Sequence, residues 1–369
     1  MRVLHFYKTY KPDSMGGVEQ LIGEICSGAA SRGIPSDVLT LSKDTSTVDL
    51  GDHKHYRARL DFKLASSYFS LSSLARLKEL AKTADVIHYH FPWPFMDVAH
   101  FLTRLNKPTV VTYHSDIIRQ KALLQLYRPL MLAFLGSVTK IVATSPNYAQ
   151  TSPVLRRFAS KVEVIPIGLN EHAYPRATDA KIAEWRERIG PRFLLFVGML
   201  RYYKGLHVLL DALKGSDYDV VILGGGPLEG ELKTQAESLG LRHVHFVGAL
   251  PDEDKVALLT LCRGLVFPSH LRSEAFGISL LEGAMYGKPL ISCEIGTGTS
   301  YVNVAGKTGL VVPSSDAPAL RGAIDRIWND DQLASELGAG ARERFTKLFT
   351  ADKMADAYAD LYRRIASKP

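Results

Sequence analysis

Short apolar runs rich in β-branched residues punctuate the chain, and longer stretches with apolar positions every three or four residues separate them. In the first half the runs are Val3–Tyr7, Asp37–Leu41, Val86–His90, Thr109–His114, Lys140–Thr144 and Val162–Ile165. In the second they are Phe193–Gly198, Asp219–Leu223, His243–Gly248, Gly264–Pro268, Pro289–Cys293 and Leu310–Pro313. Runs that are apolar on both faces and alternate with helices belong to parallel sheets covered on both sides. Six runs per half predict an α/β protein of two doubly wound, Rossmann-like domains. Pro166, Gly168, Pro175 and Pro191 punctuate a charged stretch between the halves, so the expected domains are 1–172 and 173–350. A final helix, about Ala351 to Ala366, carries an apolar face at Met354, Ala357, Tyr358, Leu361 and Ile365. No strand follows it, and the 351–369 segment is expected to pack back on the first domain.

In sheets of this kind the chemistry gathers just beyond the C-terminal strand ends. Those positions hold Gly16, Gly17, His90, His114, Ser145 and Gly168 in the first half. In the second they hold Arg201, Lys204, Gly224 to Gly226, Gly248, Ser269 and the run from Glu274. Glycines, cations and two carboxylates are the residue types that a nucleotide diphosphate and a sugar require.

Composition narrows the setting. A chain of 369 residues, 46% hydrophobic and 22% charged, suits two packed domains and argues against disorder. Cys26, Cys262 and Cys293 show no paired spacing, which points to buried thiols in a reducing compartment. The opening Met1–Tyr7 run is too short for a secretory signal, and no apolar run approaches the roughly 20 residues of a spanning helix. Residues 1–170 carry 21 Lys and Arg against 13 Asp and Glu, so the whole excess of positive charge lies there. Such a half suits an acidic substrate, nucleic acid or an anionic membrane, or is simply a solvated face.

Each constellation has a plain structural alternative. Asp13-Ser-Met-Gly16-Gly17-Val-Glu19 lets backbone N–H groups meet an anion at a helix N-terminus, or is a tight turn. It is not GxGxxG and lacks the acidic residue of a dinucleotide site. Arg201 and Lys204 can flank a diphosphate, or be two solvated charges. Gly224, Gly225 and Gly226 imply close approach of a ligand or helix. In Glu274-Ala-Phe276-Gly277-Ile278-Ser-Leu-Leu-Glu282 the two carboxylates would be about 12 Å apart if the segment were helical throughout. That is about the span from sugar to ribose in an extended nucleotide sugar. A carboxylate in so apolar a helix requires a partner, so Glu282 is expected to bond something. His88 and His90 share a strand face but lack an evident third metal ligand. Asp252-Glu253-Asp254 reads as a helix cap rather than a metal motif, and Asp217-Tyr-Asp219 merely precedes a strand. From Arg57 to Lys82, cations interleave with Leu60, Phe62, Leu64, Tyr68, Phe69, Leu71, Leu74, Leu77 and Leu80. That stretch suits either a membrane surface or a core-packed helix.

These residues together resemble the retaining glycosyltransferases of family 4, of the two-Rossmann-domain fold called GT-B. The resemblance runs through Gly16-Gly17, His114 in Val-Val-Thr-Tyr-His, Ile165–Asn170, the Gly198–Gly205 loop, Gly224-Gly-Gly-Pro and Gly248. It is most specific at Glu274-x7-Glu282 after Phe267-Pro268-Ser269. The family likeness implies two domains facing across a cleft and a front-face transfer that keeps the anomeric configuration. It implies that Glu274 holds donor-sugar hydroxyls, Glu282 the ribose and Lys204 the departing diphosphate. Gly16 and Gly17 and the backbone at Phe276, Gly277 and Ile278 would assist, His114 would face the donor sugar, and Gly248 would meet the base. Family members usually need no metal, so no cofactor is expected. Where the family commonly has Arg after the loop glycine this chain has Met199, and Arg201 would supply the charge from a shifted position.

The opening His5–Tyr10 and the Gly296–Asn303 segment look like bacterial mannosyltransferases of O-antigen synthesis. They imply GDP-mannose as donor, or else a UDP-sugar. The expected acceptor is lipid-linked or saccharide, and the expected location cytoplasmic, peripheral to an anionic membrane. An epimerase lacks its GxGxxG and Tyr-x-x-x-Lys here, a secreted sugar-binding protein would need a signal peptide, and no nucleic-acid recognition motif accompanies the charge.

Overall fold

The computed structural model describes every residue except 15, 65–66, 119–120 and 368–369. Met15 of the Asp13–Glu19 stretch, residues 65–66 of the Arg57–Lys82 stretch and residues 368–369 of the last segment therefore lie outside the described residues. The chain divides into two compact units, one of residues 1–168 with 351–369 and one of residues 169–350. The division falls ahead of the sequence-read seam because the Leu169 N–H bonds the Phe349 carbonyl and Leu169 bridges to Thr350, which ties it to the second unit.

The first unit opens with β1 (Val3–Phe6), α1 (Gly17–Ala30), β2 (Ser36–Ser42), β3 (Thr47–Asp49) and β4 (His53–Arg59). A hairpin, β5 (Phe62–Leu64) and β6 (Ser67–Phe69), leads to α2 (Leu71–Ala81), β7 (Val86–Phe91) and α3 (Pro94–Thr103). Then come β8 (Thr109–Tyr113), α4 (Lys121–Ser137), β9 (Lys140–Ala143), α5 (Pro146–Thr151), α6 (Pro153–Arg157) and β10 (Val162–Val164).

The second unit contains α7 (Asp179–Ile189), β11 (Leu194–Val197), α8 (Leu206–Leu213), β12 (Val220–Leu223) and α9 (Glu229–Ser238). It continues with β13 (Val244–Gly248), α10 (Asp252–Leu261), β14 (Gly264–Phe267), α11 (Ile278–Met285) and β15 (Leu290–Glu294). It closes with α12 (Thr299–Val302), β16 (Gly309–Pro313), α13 (Ala317–Asn329) and α14 (Asp331–Leu348). The chain ends on α15 (Ala351–Ala366), back in the first unit.

Among the described residues the first sheet runs β10-β9-β8-β7-β1-β2-β4-β3, parallel throughout except at the β3–β4 edge. The second runs β13-β12-β11-β14-β15-β16, all parallel. In both, strand order reverses beside the first strand, between β1 and β7 and between β11 and β14. Loops leaving such a reversal part to opposite faces and open a crevice at the strand ends.

Helix α15 buries Met354, Tyr358, Leu361, Tyr362 and Ile365. A Cβ on Gly28 of α1 would lie 2.5 Å from the Ala355 Cβ, so a glycine sets how closely the two helices approach. Arg32 at the end of α1 reaches Asp352 and Asp356 of α15. All three cysteines are buried and free. No helix among the described residues is long and apolar enough to cross a membrane.

The Arg57–Lys82 stretch is not one amphipathic helix. Arg57 belongs to β4 and pairs with Asp13, the hairpin follows, and Ser70 caps α2, whose Ser73, Leu77 and Ala81 are buried. Phe62, Leu64 and Leu71 stay 56%, 64% and 76% exposed, beside the exposed Arg59, Lys63 and Lys78.

Candidate active site

In the second unit the loops that leave β11 and β14 are pressed together. Gly205 has φ 68°, and a Cβ there would lie 2.0 Å from the Pro268 carbonyl oxygen, so only glycine lets the Lys204 loop sit against Pro268. Lys204 ends the short turn after Arg201 and is buried. Its Nζ donates to Glu274 Oε2 at 2.7 Å and lies 4.6 Å from the centre of the Phe267 ring. Ser269 Oγ adds a longer bond to the same carboxylate oxygen, 3.4 Å. The switch point thus holds a buried ion pair spanning the two strands that define it. A partner for each charge is what makes this burial tolerable.

Glu282 is also buried and does have the partners expected of it: the Tyr174 hydroxyl and Lys255 Nζ, both at 3.0 Å. Burial alone would lower the Lys255 pKa, but Glu282 and Asp252 outweigh it and raise the value. Glu282 lies on α11, but Glu274 does not. Gly277, at φ 92°, breaks the helical path, and α11 begins only at Ile278. The 12 Å helical rise therefore does not describe the separation of the two carboxylates. Phe276 is buried against Gly298 and Phe349, and the Ala275 carbonyl accepts from the Gly298 N–H, so the 274–277 loop is braced from below. Ser279 Oγ bonds the Val197 carbonyl and ties the start of α11 to the end of β11.

The Gly224–Gly226 run answers to its own chain rather than to a ligand. A Cβ on Gly224 would lie 2.1 Å from the Gly198 carbonyl oxygen, and one on Gly226 would lie 2.6 Å from that of Leu200. The Gly224 N–H bonds the Gly248 carbonyl. Arg201 is exposed, with its Nε on Met199 Sδ at 2.9 Å. The N-cap of α10 is Pro251, not Asp252, which stands in the first turn and pairs with Lys255. Glu253 bonds Thr178, and Asp254 takes the Trp185 N–H and Lys181. Asp219 takes His243 and His245.

In the first unit, Gly16 and Gly17 open α1 beside a carboxylate. Glu19 is buried, accepts from Thr9 Oγ1 at 2.7 Å, and would lie 2.5 Å from a Cβ on Gly16. The histidine pair on β7 does have a third member: parallel pairing sets His5 of β1 beside His88. The ring nitrogens of His5, His88 and His90 lie within 4.8 Å of one another. His88 bonds the Tyr362 hydroxyl of α15 at 2.7 Å and Thr112 Oγ1 at 2.8 Å, and Thr112 also bonds the Tyr358 hydroxyl. His5 Nδ1 bonds His90 Nε2 at 3.1 Å, and His90 Nδ1 bonds His114 Nε2 at 3.0 Å. His114, half-buried at the end of β8, thus ends a histidine chain that starts on β1.

Burial, then His53, lowers the His5 pKa to about 3. Burial and the Lys8 ammonium bring His114 to about 3 as well. Burial holds His88 and His90 well below their ordinary value. Sequence reasoning missed His5, Tyr358 and Tyr362, and Tyr174 and Lys255 beside Glu282. Only His5 left a signal, as a histidine inside an otherwise apolar first strand.

Two doubly wound units, with polar and charged side chains gathered at each strand-order reversal, have the architecture of GT-B glycosyltransferases. The backbone superposes on sucrose-phosphate synthase from Thermosynechococcus elongatus with a TM-score of 0.83, at 22% identity over 98% of each chain. The family model for Glycosyltransferase Family 4 matches residues 15–173, and that for Glycosyl transferases group 1 matches residues 178–344. Over 353 residues the chain is 61% identical to the D-rhamnosyltransferase WbpZ of Pseudomonas aeruginosa, covering 95% of this chain and 93% of that protein. It is 52% identical to the O-antigen chain mannosyltransferase C of Escherichia coli, covering 98% of both. The chain belongs to glycosyltransferase family 4, and it is a glycosyltransferase.

Proposed function

We propose that this enzyme transfers mannose from GDP-mannose, with retention of configuration, to a saccharide or lipid-linked acceptor in O-antigen synthesis. The observation that carries the reading is the Lys204–Glu274 pair at the β11–β14 reversal. There a diphosphate would meet a cation and a sugar hydroxyl would meet a carboxylate. In a front-face displacement the anomeric carbon loses its bond to the diphosphate oxygen. It gains one to the acceptor hydroxyl on the same face, and the acceptor proton passes to the departing diphosphate. Such a step depends on fixed charges aimed at the leaving group more than on a strong base.

In this reading Lys204 stabilises the diphosphate with Arg201 assisting, Glu274 holds sugar hydroxyls and Glu282 the ribose. Gly248 and the 276–278 backbone line the donor, Gly16 and Gly17 approach the phosphates, and His114 faces the sugar. Glu282 would exchange its Tyr174 or Lys255 bond for the ribose. No metal is required, because charge neutralisation falls to Lys204.

A second donor, GDP-D-rhamnose, is favoured by the 61% identity to a D-rhamnosyltransferase. D-Rhamnose is 6-deoxymannose, so the two donors differ only at C6. The test is thermal stabilisation by nucleotide sugars together with donor turnover in excess EDTA. GDP-mannose is expected to stabilise more than GDP-D-rhamnose or UDP-glucose. A larger shift with GDP-D-rhamnose moves the donor to the second reading, a larger shift with UDP-glucose refutes both, and lost turnover restored by Mg²⁺ refutes metal independence. We also propose that the exposed Phe62, Leu64 and Leu71, with Arg59, Lys63 and Lys78, rest on an anionic bilayer carrying the acceptor, at the inner face of the cytoplasmic membrane.

A further inference from the structure

The first unit holds a buried polar group with no protein partner: His5 Nε2, at the far end of the chain that reaches His114. His5 and His90 are fully buried, and their low pKa values keep both rings neutral in neutral solution. A neutral imidazole has one N–H donor and one bare acceptor nitrogen. The two bonds that link His5, His90 and His114 must therefore run in the same sense. If they ran from His114 towards His5, the leftover group at His5 Nε2 would be a buried N–H without an acceptor. If they run from His5 towards His114, the leftover is a bare lone pair, and orphaned donors are the rarer of the two in folded proteins. His88 cannot reverse the order, because the Tyr362 hydroxyl and Thr112 Oγ1 occupy both its nitrogens. It instead stacks on His5 and His90 at 4.7 Å and 4.5 Å between ring centres, and so fixes their planes.

We infer that His5 and His90 are positioning residues which hold His114 in its Nδ1–H tautomer. His5 Nδ1–H donates to His90 Nε2, and His90 Nδ1–H donates to His114 Nε2. His114 is left with a fixed Nδ1–H donor on the side away from His90. A neutral N–H of set direction suits a sugar oxygen and gives no proton to the leaving group. The inference rests on the proposed placement of His114 at the donor sugar.

The test joins spectroscopy to kinetics. Ring ¹⁵N shifts of the full-length protein are expected to show His114 as the Nδ1–H tautomer. His90→Leu removes the donor and is expected to leave a tautomer mixture. Its kcat should fall about tenfold, the worth of one orienting hydrogen bond, with the donor KM little changed. His90→Asn carries an N–H₂ on Cγ, where His carries Nδ1, and should recover both the tautomer and most of the rate. Adding His90→Leu to His114→Ala should cost nothing further. An Nε2–H tautomer in the wild type, or an unchanged tautomer in a folded His90→Leu, overturns the relay. So does stoichiometric Zn²⁺ uptake that displaces the His5–His90 bond. A wild-type rate in His114→Ala refutes instead the placement of His114 at the sugar, and leaves the tautomer result standing.

Discussion

Where strand order reverses in the first unit, histidines are stacked among tyrosines and bonded to one another. At the same topological position in the second unit, a lysine lies buried against a glutamate. The fold is common to both, so it decides where side chains converge but not what they can do. In the histidine cluster burial without counter-charge drives the rings neutral, and hydroxyls and imidazoles satisfy each other. In the second unit each charge offsets the desolvation of the other, so both persist. A charged ligand group would find its complement only at the second site, and a hydroxyl-rich one would be served at either. That matches the proposed division between diphosphate and sugar.

Breaking the ion pair gives the largest expected effect. Lys204→Ala and Glu274→Ala should each lower kcat by about 10²–10³, the scale of losing a fixed donor to developing charge. Each should also destabilise the protein by about 3–5 kcal/mol, because the remaining charge is buried alone. The double variant should regain much of the stability and none of the rate. If stability and rate recovered together, the pair would be structural only.

The neutral cluster is exposed by acid. The folded pKa values of His5, His88, His90 and His114 lie below the unfolded value. Stability is therefore full above about pH 6.5 and is lost as pH falls below it, where the unfolded chain binds protons that the folded one refuses. Each ring contributes a slope of up to about 1.4 kcal/mol per pH unit. Amide exchange at pH 5 should show β1, β7 and β8 opening more readily than at pH 7, relative to β11 and β14. Equal protection at both pH values would mean that the rings are not buried neutral in solution.

A third change sharpens the contrast from outside the sites. Gly28→Val should drive α1 from α15 and cost about 1–3 kcal/mol, confined to the first unit. Stability that matches the wild type would show that α15 has room to move. The smallest effect on the fold belongs to Phe62→Ser with Leu64→Ser, within about 0.5 kcal/mol because both side chains are already solvated. Pelleting with anionic liposomes at low salt should nonetheless drop, and undiminished pelleting would refute the membrane contact.

Much of this was legible beforehand. The fully buried strands, such as Val-Ile-His-Tyr-His-Phe of β7, announce themselves by continuous apolar character. So do the second unit's loops, since glycines and charges at strand ends have few other uses. Strand β4 did not, because His53-Lys-His-Tyr-Arg-Ala-Arg reads as polar until its histidines are seen to point inward. The brief β5–β6 hairpin was hidden in a stretch that looked helical by charge spacing. Contacts between distant segments left little trace: Tyr362 lies 274 residues from the His88 ring it bonds. The Lys204–Glu274 bond spans 70 residues, and its two members were visible only as separate candidates.

That same α15 carries a consequence for biosynthesis. The second unit is inserted in the first, between Gly168 and Ala351. A ribosome releasing about 5–20 residues per second therefore needs roughly ten to forty seconds to cross the ~180 residues of the insertion. Throughout that interval β1, β7 and β8 have been made but Tyr358 and Tyr362 have not, and the face around His88 stands uncovered. Completion of the earliest-made unit waits on the last-made helix. A nascent chain halted before Ala351 should accordingly be held by chaperones, or cut by proteases, within the first unit rather than the second.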